Sequence, residues 1–143
     1  MKRLVVLISN TGIGTNLQAI INGVNSGKIK AEIINVISDA PDAYGLIRAK
    51  NANIKTLILK KEDDITKFLK DLSVDFVCLA GWKQIIPDQM LDVFENRILN
   101  IHPGLIPDSL DGVVKNPDNS LSIWNRGKFT EAAIKNFLES KAT

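Results

Sequence analysis

The sequence predicts an α/β protein: a parallel sheet with helices packed on both faces. Three observations lead there. Short apolar runs alternate with segments of helical spacing, the rhythm of repeated βαβ units. The first run, Leu4-Val5-Val6-Leu7-Ile8, is continuously apolar instead of alternating, as a strand covered on both faces must be. That run passes directly into Ser9-Asn10-Thr11-Gly12-Ile13-Gly14-Thr15-Asn16, a strand-to-helix turn of small and polar residues.

Each element follows from local chemistry. After the first strand, Leu17, Ile20, Ile21 and Val24 recur at helical spacing, with Thr15 or Asn16 as N-cap and Gly23 and Asn25 to Gly27 as the close. Ala31 to Ser38 is a second strand, and Pro41 suits the first turn of a helix through Gly45, Leu46 and Ala49. Ile54 to Leu59 forms the third strand. Asp63 or Asp64 caps a helix carrying Ile65, Phe68 and Leu69 inward and lysines outward. Val74 to Ala80 is the fourth strand, Pro87 to Phe94 a short helix, and Ile98 to Ile101 a fifth, buried strand. From Pro103 to Gly127 the texture is that of a loop, longer than most connections in a compact domain, and Thr130 to Ser140 reads as a last helix.

Composition narrows the function. The 143 residues suffice for one domain with a real core. Eighteen Lys and Arg stand against 16 Asp and Glu, scattered along the chain, which speaks against nucleic acid or a membrane surface as partner. The single cysteine, Cys78, lies in an apolar run and supports neither a disulfide nor a cysteine metal site. Met1-Lys2-Arg3 followed by a short apolar run is read as the start of a strand, not a signal peptide, and the expected location is cytoplasmic.

Three stretches carry chemistry. The turn around Gly12, Gly14, Thr15 and Asn16 can aim backbone N–H groups at an anion beside a helix N-terminus. Leu17 stands where the dinucleotide fingerprint wants Gly or Ala, so a monophosphate fits better than a pyrophosphate; Asp39 beyond the second strand is the one feature favouring a dinucleotide oxidoreductase. Gly81-Trp82-Lys83-Gln84-Ile85-Ile86-Pro87 offers either a helix-entry loop with Trp82 in the core, or a flat wall and backbone groups for a planar heterocycle. Asn100 and His102, the only histidine, are two apart, so a strand sends both to one face; the alternative is a core histidine beside a turn asparagine.

Taken together, these stretches resemble the phosphoribosylglycinamide formyltransferase family, folate-dependent enzymes of purine synthesis. The matching pieces are Val5 to Ser9 leading to Gly14-Thr15-Asn16-Leu17-Gln18-Ala19-Ile20, then Ser38-Asp39-Ala40-Pro41-Asp42-Ala43-Tyr44-Gly45-Leu46, Leu79-Ala80-Gly81-Trp82, and Leu99-Asn100-Ile101-His102-Pro103. They cover roughly the first 107 residues, which divides the chain into a Rossmann-like formyltransferase core (1–107) and a divergent loop and helix (108–143). The resemblance implies that Gly14, Thr15 and Asn16 bind the substrate phosphate, with about two extra residues before Gly14. It implies that Trp82, Lys83, Gln84, Ile85 and Ile86 line a folate pocket and that Asn100 and His102 are the catalytic pair. The implied co-substrate is 10-formyltetrahydrofolate, the acceptor glycinamide ribonucleotide, and no metal is called for.

The departures carry expectations as well. In the family a further strand and a catalytic aspartate follow the Leu-Pro loop. Here Ile106-Pro107 keeps the proline, Asp108 to Gly127 does not match, and the chain ends at Thr143 before that aspartate. Asp108 and Asp111, close to His102 in sequence, read as surface loop carboxylates, the alternative being that one of them substitutes for that aspartate. The expectation is a truncated formyltransferase fold with weak activity, whose unpaired sheet edge favours a homodimer. The alternatives are a non-catalytic nucleotide- or phosphate-binding half-enzyme, and another folate-dependent formyl transferase or hydrolase.

Overall fold

The apolar first run becomes the central strand of the sheet because it has no polar face to offer water. In the computed structural model, which describes residues 1–10, 12–60, 63–101, 114–115 and 121–122, β1 (Lys2–Ile8) pairs in parallel with β2 (Ala31–Ser38) on one side and β4 (Phe76–Leu79) on the other. β3 (Thr56–Ile58) extends the sheet beyond β2 and β5 (Ile98–Asn100) extends it beyond β4, giving the parallel order β3-β2-β1-β4-β5. The helices between them are α1 (Thr15–Asn25), α2 (Tyr44–Asn51), α3 (Ile65–Asp71) and α4 (Asp88–Val93). The predicted class, a parallel α/β sheet, is the one observed.

Period-two geometry on β1 divides the core in two. Leu4, Val6 and Ile8 pack with Leu17 and Ile21 of α1 and Leu46 and Ala49 of α2. Val5 and Leu7 face the other way, onto Ile65 and Leu69 of α3 and Met90 of α4 with Phe94 just beyond it. Both faces are therefore dry, as a continuous apolar run requires. On β2 the register slips by one residue opposite Leu4 and Val5, so Ile33 and Val36 share the first core and Ile37 enters the second. The slip is an irregularity of the pairing beside buried Asn35, and apolar residues of β2 enter both cores on either side of it.

Several local expectations are corrected. The cap of α1 is Gly14, not Thr15 or Asn16: at φ 71° and ψ 32° it is left-handed, and Thr15 is already helical. Gly23 lies inside α1, and the helix ends at Asn25 with Ser26 as C-cap and Gly27 at φ 75°. Pro41 does not open α2. The Ser38 hydroxyl accepts from Ala40 N (3.1 Å) and donates to Ala40 O (2.8 Å), a tight turn that delays the helix until buried Ala43 can serve as its cap. Of the two candidates for α3, Asp64 is the cap, accepting from Lys67 N at 3.0 Å.

The fifth strand was expected to be buried, and this too is corrected. β5 pairs with β4 and with no other described strand, so Leu99 is 54% exposed and Asn100 is exposed. Within the stretch expected to be all loop, Val114–Lys115 (β6) and Leu121–Ser122 (β7) form an antiparallel pair. The chain divides into two compact units, Met1–Asn100 and Ile101–Thr143. The predicted helix from Thr130 to Ser140, like His102, Asp108 and Asp111, lies outside the described residues.

Candidate active site

The sheet order places the chemistry. Winding runs outward from β1 through β2 to β3, then returns to the other side of β1 for β4 and β5. Where winding reverses, the loops leaving β1 and β4 diverge and open a crevice beyond the carboxyl ends of the strands. All the residues predicted to function that lie among the described residues stand at that end of the sheet. Gly14 to Asn16 follow β1, Trp82 to Ile86 follow β4, and Asn100 closes β5.

At the β1 exit, no side chain among the described residues caps α1 and its first turn holds no acidic residue. The N–H groups of that turn, with the positive end of the helix dipole, suit an anion or water. The loop is held from below by Arg48 of α2, which donates through Nε to Ile13 O (2.6 Å) and through Nη1 to Gln18 Oε1 (2.9 Å). The Arg48 guanidinium also lies 5.4 Å from the Tyr44 ring centroid.

At the β4 exit, a pocket of about 380 Å³ is walled by Trp82, Gln84, Ile85, Ile86 and Pro87 on one side and Asp39, Leu59, Lys60 and Asp63 on the other. The structure thus brings together four of the five residues predicted to hold a planar ring; Lys83 is not in the wall. Ile85 is 86% exposed, so its apolar side chain lines the pocket without packing into the core. A larger depression of about 750 Å³ opens at the opposite end of β1 and β2, lined by Met1, Ala31 and Ile33 among others, away from the carboxyl ends of the strands.

Sequence reasoning missed the polar network beneath the β4 loop. Ser9 Oγ donates to Asp39 Oδ2 (2.8 Å) and accepts from Lys83 N (3.0 Å), while Gln84 Nε2 donates to the same Asp39 Oδ2 (2.8 Å). The available signal was that Ser9 and Asp39 each follow directly on an apolar strand, where an α/β sheet keeps its polar groups. Among the described residues no cluster of His, Cys, Asp or Glu could hold a metal ion, and no helix is long and apolar enough to cross a membrane. Burial pushes the Cys78 thiol of β4 above its ordinary value, which suits a packing residue and not a nucleophile.

The family model described as formyl transferase matches residues 2–113. The chain belongs to the formyl transferase family. Over 116 residues it is 45% identical to the phosphoribosylglycinamide formyltransferase of Haemophilus influenzae, covering 75% of this chain and 54% of that one. The enzyme of the same name from Escherichia coli is 40% identical over 113 residues, covering 73% and 52%. Among solved structures, glycinamide ribonucleotide transformylase 1 from Symbiobacterium toebii superposes with a TM-score of 0.68 at 44% identity, covering 76% of this chain and 54% of that one. The chain therefore spans about half the length of these relatives. Its five-stranded sheet is that of the formyl transferase fold.

Proposed function

We propose that this formyl transferase moves the formyl group of 10-formyltetrahydrofolate to the amine of glycinamide ribonucleotide, a step of purine biosynthesis. The observation that carries the reading is the 45% identity to an enzyme named for that acceptor. The geometry supports it. The uncapped first turn of α1 suits the ribonucleotide phosphate at Gly14, Thr15 and Asn16. A pocket of about 380 Å³ with Trp82 in its wall lies within the range of about 300–1,000 Å³ usual for small ligands, and suits the folate ring system along Trp82 to Ile86.

In this reading the substrate amine attacks the formyl carbon and negative charge develops on the formyl oxygen. Asn100 donates a hydrogen bond to that oxygen, and His102, as imidazolium, stabilises the same charge. Imidazole titrates near neutrality, so His102 also serves the proton passing from the attacking amine to the departing folate nitrogen. The reading assigns residues 1–107 to the formyltransferase core, places the reaction in the cytoplasm, and keeps a homodimer as the expected assembly.

The test is formyl transfer by the purified 143-residue chain, followed by the absorbance of the deformylated folate. Turnover should fall by about 10²–10³ in Asn100→Ala or His102→Ala, with ribonucleotide still bound. Wild-type chain that binds ribonucleotide without turnover would replace this reading with that of a nucleotide-binding module.

A further inference from the structure

The segment from Trp82 to Ile86 has little regular structure of its own: β4 ends at Leu79 and α4 begins at Asp88. A stretch that presents backbone groups to a flat ligand must nevertheless hold them still, because each lost degree of freedom is otherwise charged to binding. The bonds that fix it come from the neighbouring strands. Ser9, buried at the end of β1, accepts the Lys83 N–H, and Asp39, at the end of β2, receives both the Ser9 hydroxyl and the Gln84 amide on a single oxygen.

The direction of these bonds matters. Ser9 has one hydroxyl proton. Because Asp39 takes it, the lone pairs of Oγ stay turned toward Lys83 N. Asp39 thus acts on the backbone at Lys83 through Ser9 and on the side chain of Gln84 directly. Its second oxygen, Oδ1, is buried and has no partner among the described residues. Asp39 also forms part of the wall of the same pocket.

We propose that Asp39 is a positioning residue for the Trp82–Ile86 wall, acting through Ser9 and Gln84, and that it sets affinity for the ligand on that wall without touching the reacting atoms. Applied to a folate ligand, this rests on the function proposed above; the fixing of the loop does not.

The test therefore has two arms. In the first, amide hydrogen exchange is followed in the ligand-free chain. Asp39→Ala should raise exchange at Lys83 about tenfold while the amides of β1 from Val5 to Leu7 keep theirs. Asp39→Asn should restore protection: its carbonyl oxygen can accept from Ser9 and Gln84, and its amide nitrogen replaces an oxygen that receives no donor from the described residues. Should Asp39→Ala fail to fold, Ser9→Ala removes the acceptor of Lys83 N together with the hydroxyl that donates to Asp39, and must give the same local rise. Unchanged exchange at Lys83 in the folded variant, or Asp39→Asn behaving like Asp39→Ala, overturns the proposal.

In the second arm, KM for a 10-formyl folate should rise about tenfold in Asp39→Ala, with KM for glycinamide ribonucleotide and kcat held. Equal rises in both KM values would mean general damage and reject the positioning role. A wild-type chain without turnover rejects the formyl-transfer reading, and the exchange arm then decides the fate of Asp39 alone.

Discussion

Gly12 and Gly14 have the same backbone and different surroundings, which makes them a matched pair. Each has φ 71°. A β-carbon on Gly12 would meet nothing within 4 Å, whereas one on Gly14 would lie 3.1 Å from Gly45 Cα and 3.3 Å from Arg48 Cδ. Left-handed backbone costs an L-residue about 1–2 kcal/mol, and Gly12→Ala should destabilise by about that amount. Gly14→Ala carries that cost and a second. The Gly45 contact is backbone and cannot rotate away, and overpacking at such a site adds about 1–3 kcal/mol, for about 2–5 in all. Urea unfolding of the two variants measures both at once, read as a shift in midpoint at constant slope. Equal losses in the two variants would refute the argument that the α1 entry is seated against α2. If the phosphate reading holds, Gly14→Ala should also weaken ribonucleotide binding more than Gly12→Ala does.

Two further predictions concern titration and reactivity. The Arg3 N–H (2.7 Å) and the Lys2 ammonium (3.0 Å) hold the Asp75 carboxyl below its ordinary value of 3.8. A folded value below the unfolded one gives stability that is complete above 3.8 and is lost as pH falls through the folded value, so Asp75→Asn should flatten the fall in urea midpoint from about pH 5 downward. An identical acid limb in the variant would contradict this. Cys78, whose thiol burial pushes upward, should react with iodoacetamide at about pH 8 at least tenfold more slowly in the native chain than in urea; equal rates would show an open thiol.

The fold was legible wherever a pattern is local. Five apolar residues in a row from Leu4 announced a strand buried on both faces, and Leu17 and Ile21 marked the inner side of α1, where both are buried. Legibility failed where tertiary contacts outvoted propensity. Thr15 and Asn16 are good caps in isolation, yet the seat of Gly14 against Gly45 starts the helix a residue earlier. Pro41 suits a first helical turn, yet the Ser38 turn comes first and Ala43, buried in the α1–α2 core, fixes where α2 begins. At Ile98 to Asn100 composition gave a strand correctly and its burial wrongly, because an apolar run does not say how many neighbours the strand will have.

The candidate site divides along the same line. Its recognisable parts are contiguous: Gly14 to Asn16, Trp82 to Ile86, and Asn100 with His102 are each a few residues long, and each pairs a residue type with one place relative to a strand end. What holds the second of these in place is spread along the chain: Ser9 and Asp39 are 30 positions apart, Asp39 and Gln84 45, and Ser9 and Lys83 74. No periodicity links such positions. They become neighbours only once β2, β1 and β4 stand side by side in that order, bringing three strand ends to one point. Reading the network from sequence would have required the topology first, and then the question of which polar groups at three adjacent strand ends must satisfy one another. Ser9 is the member whose burial forces an answer, since a buried hydroxyl needs a partner, and among the described residues Lys83 supplies the donor and Asp39 the acceptor.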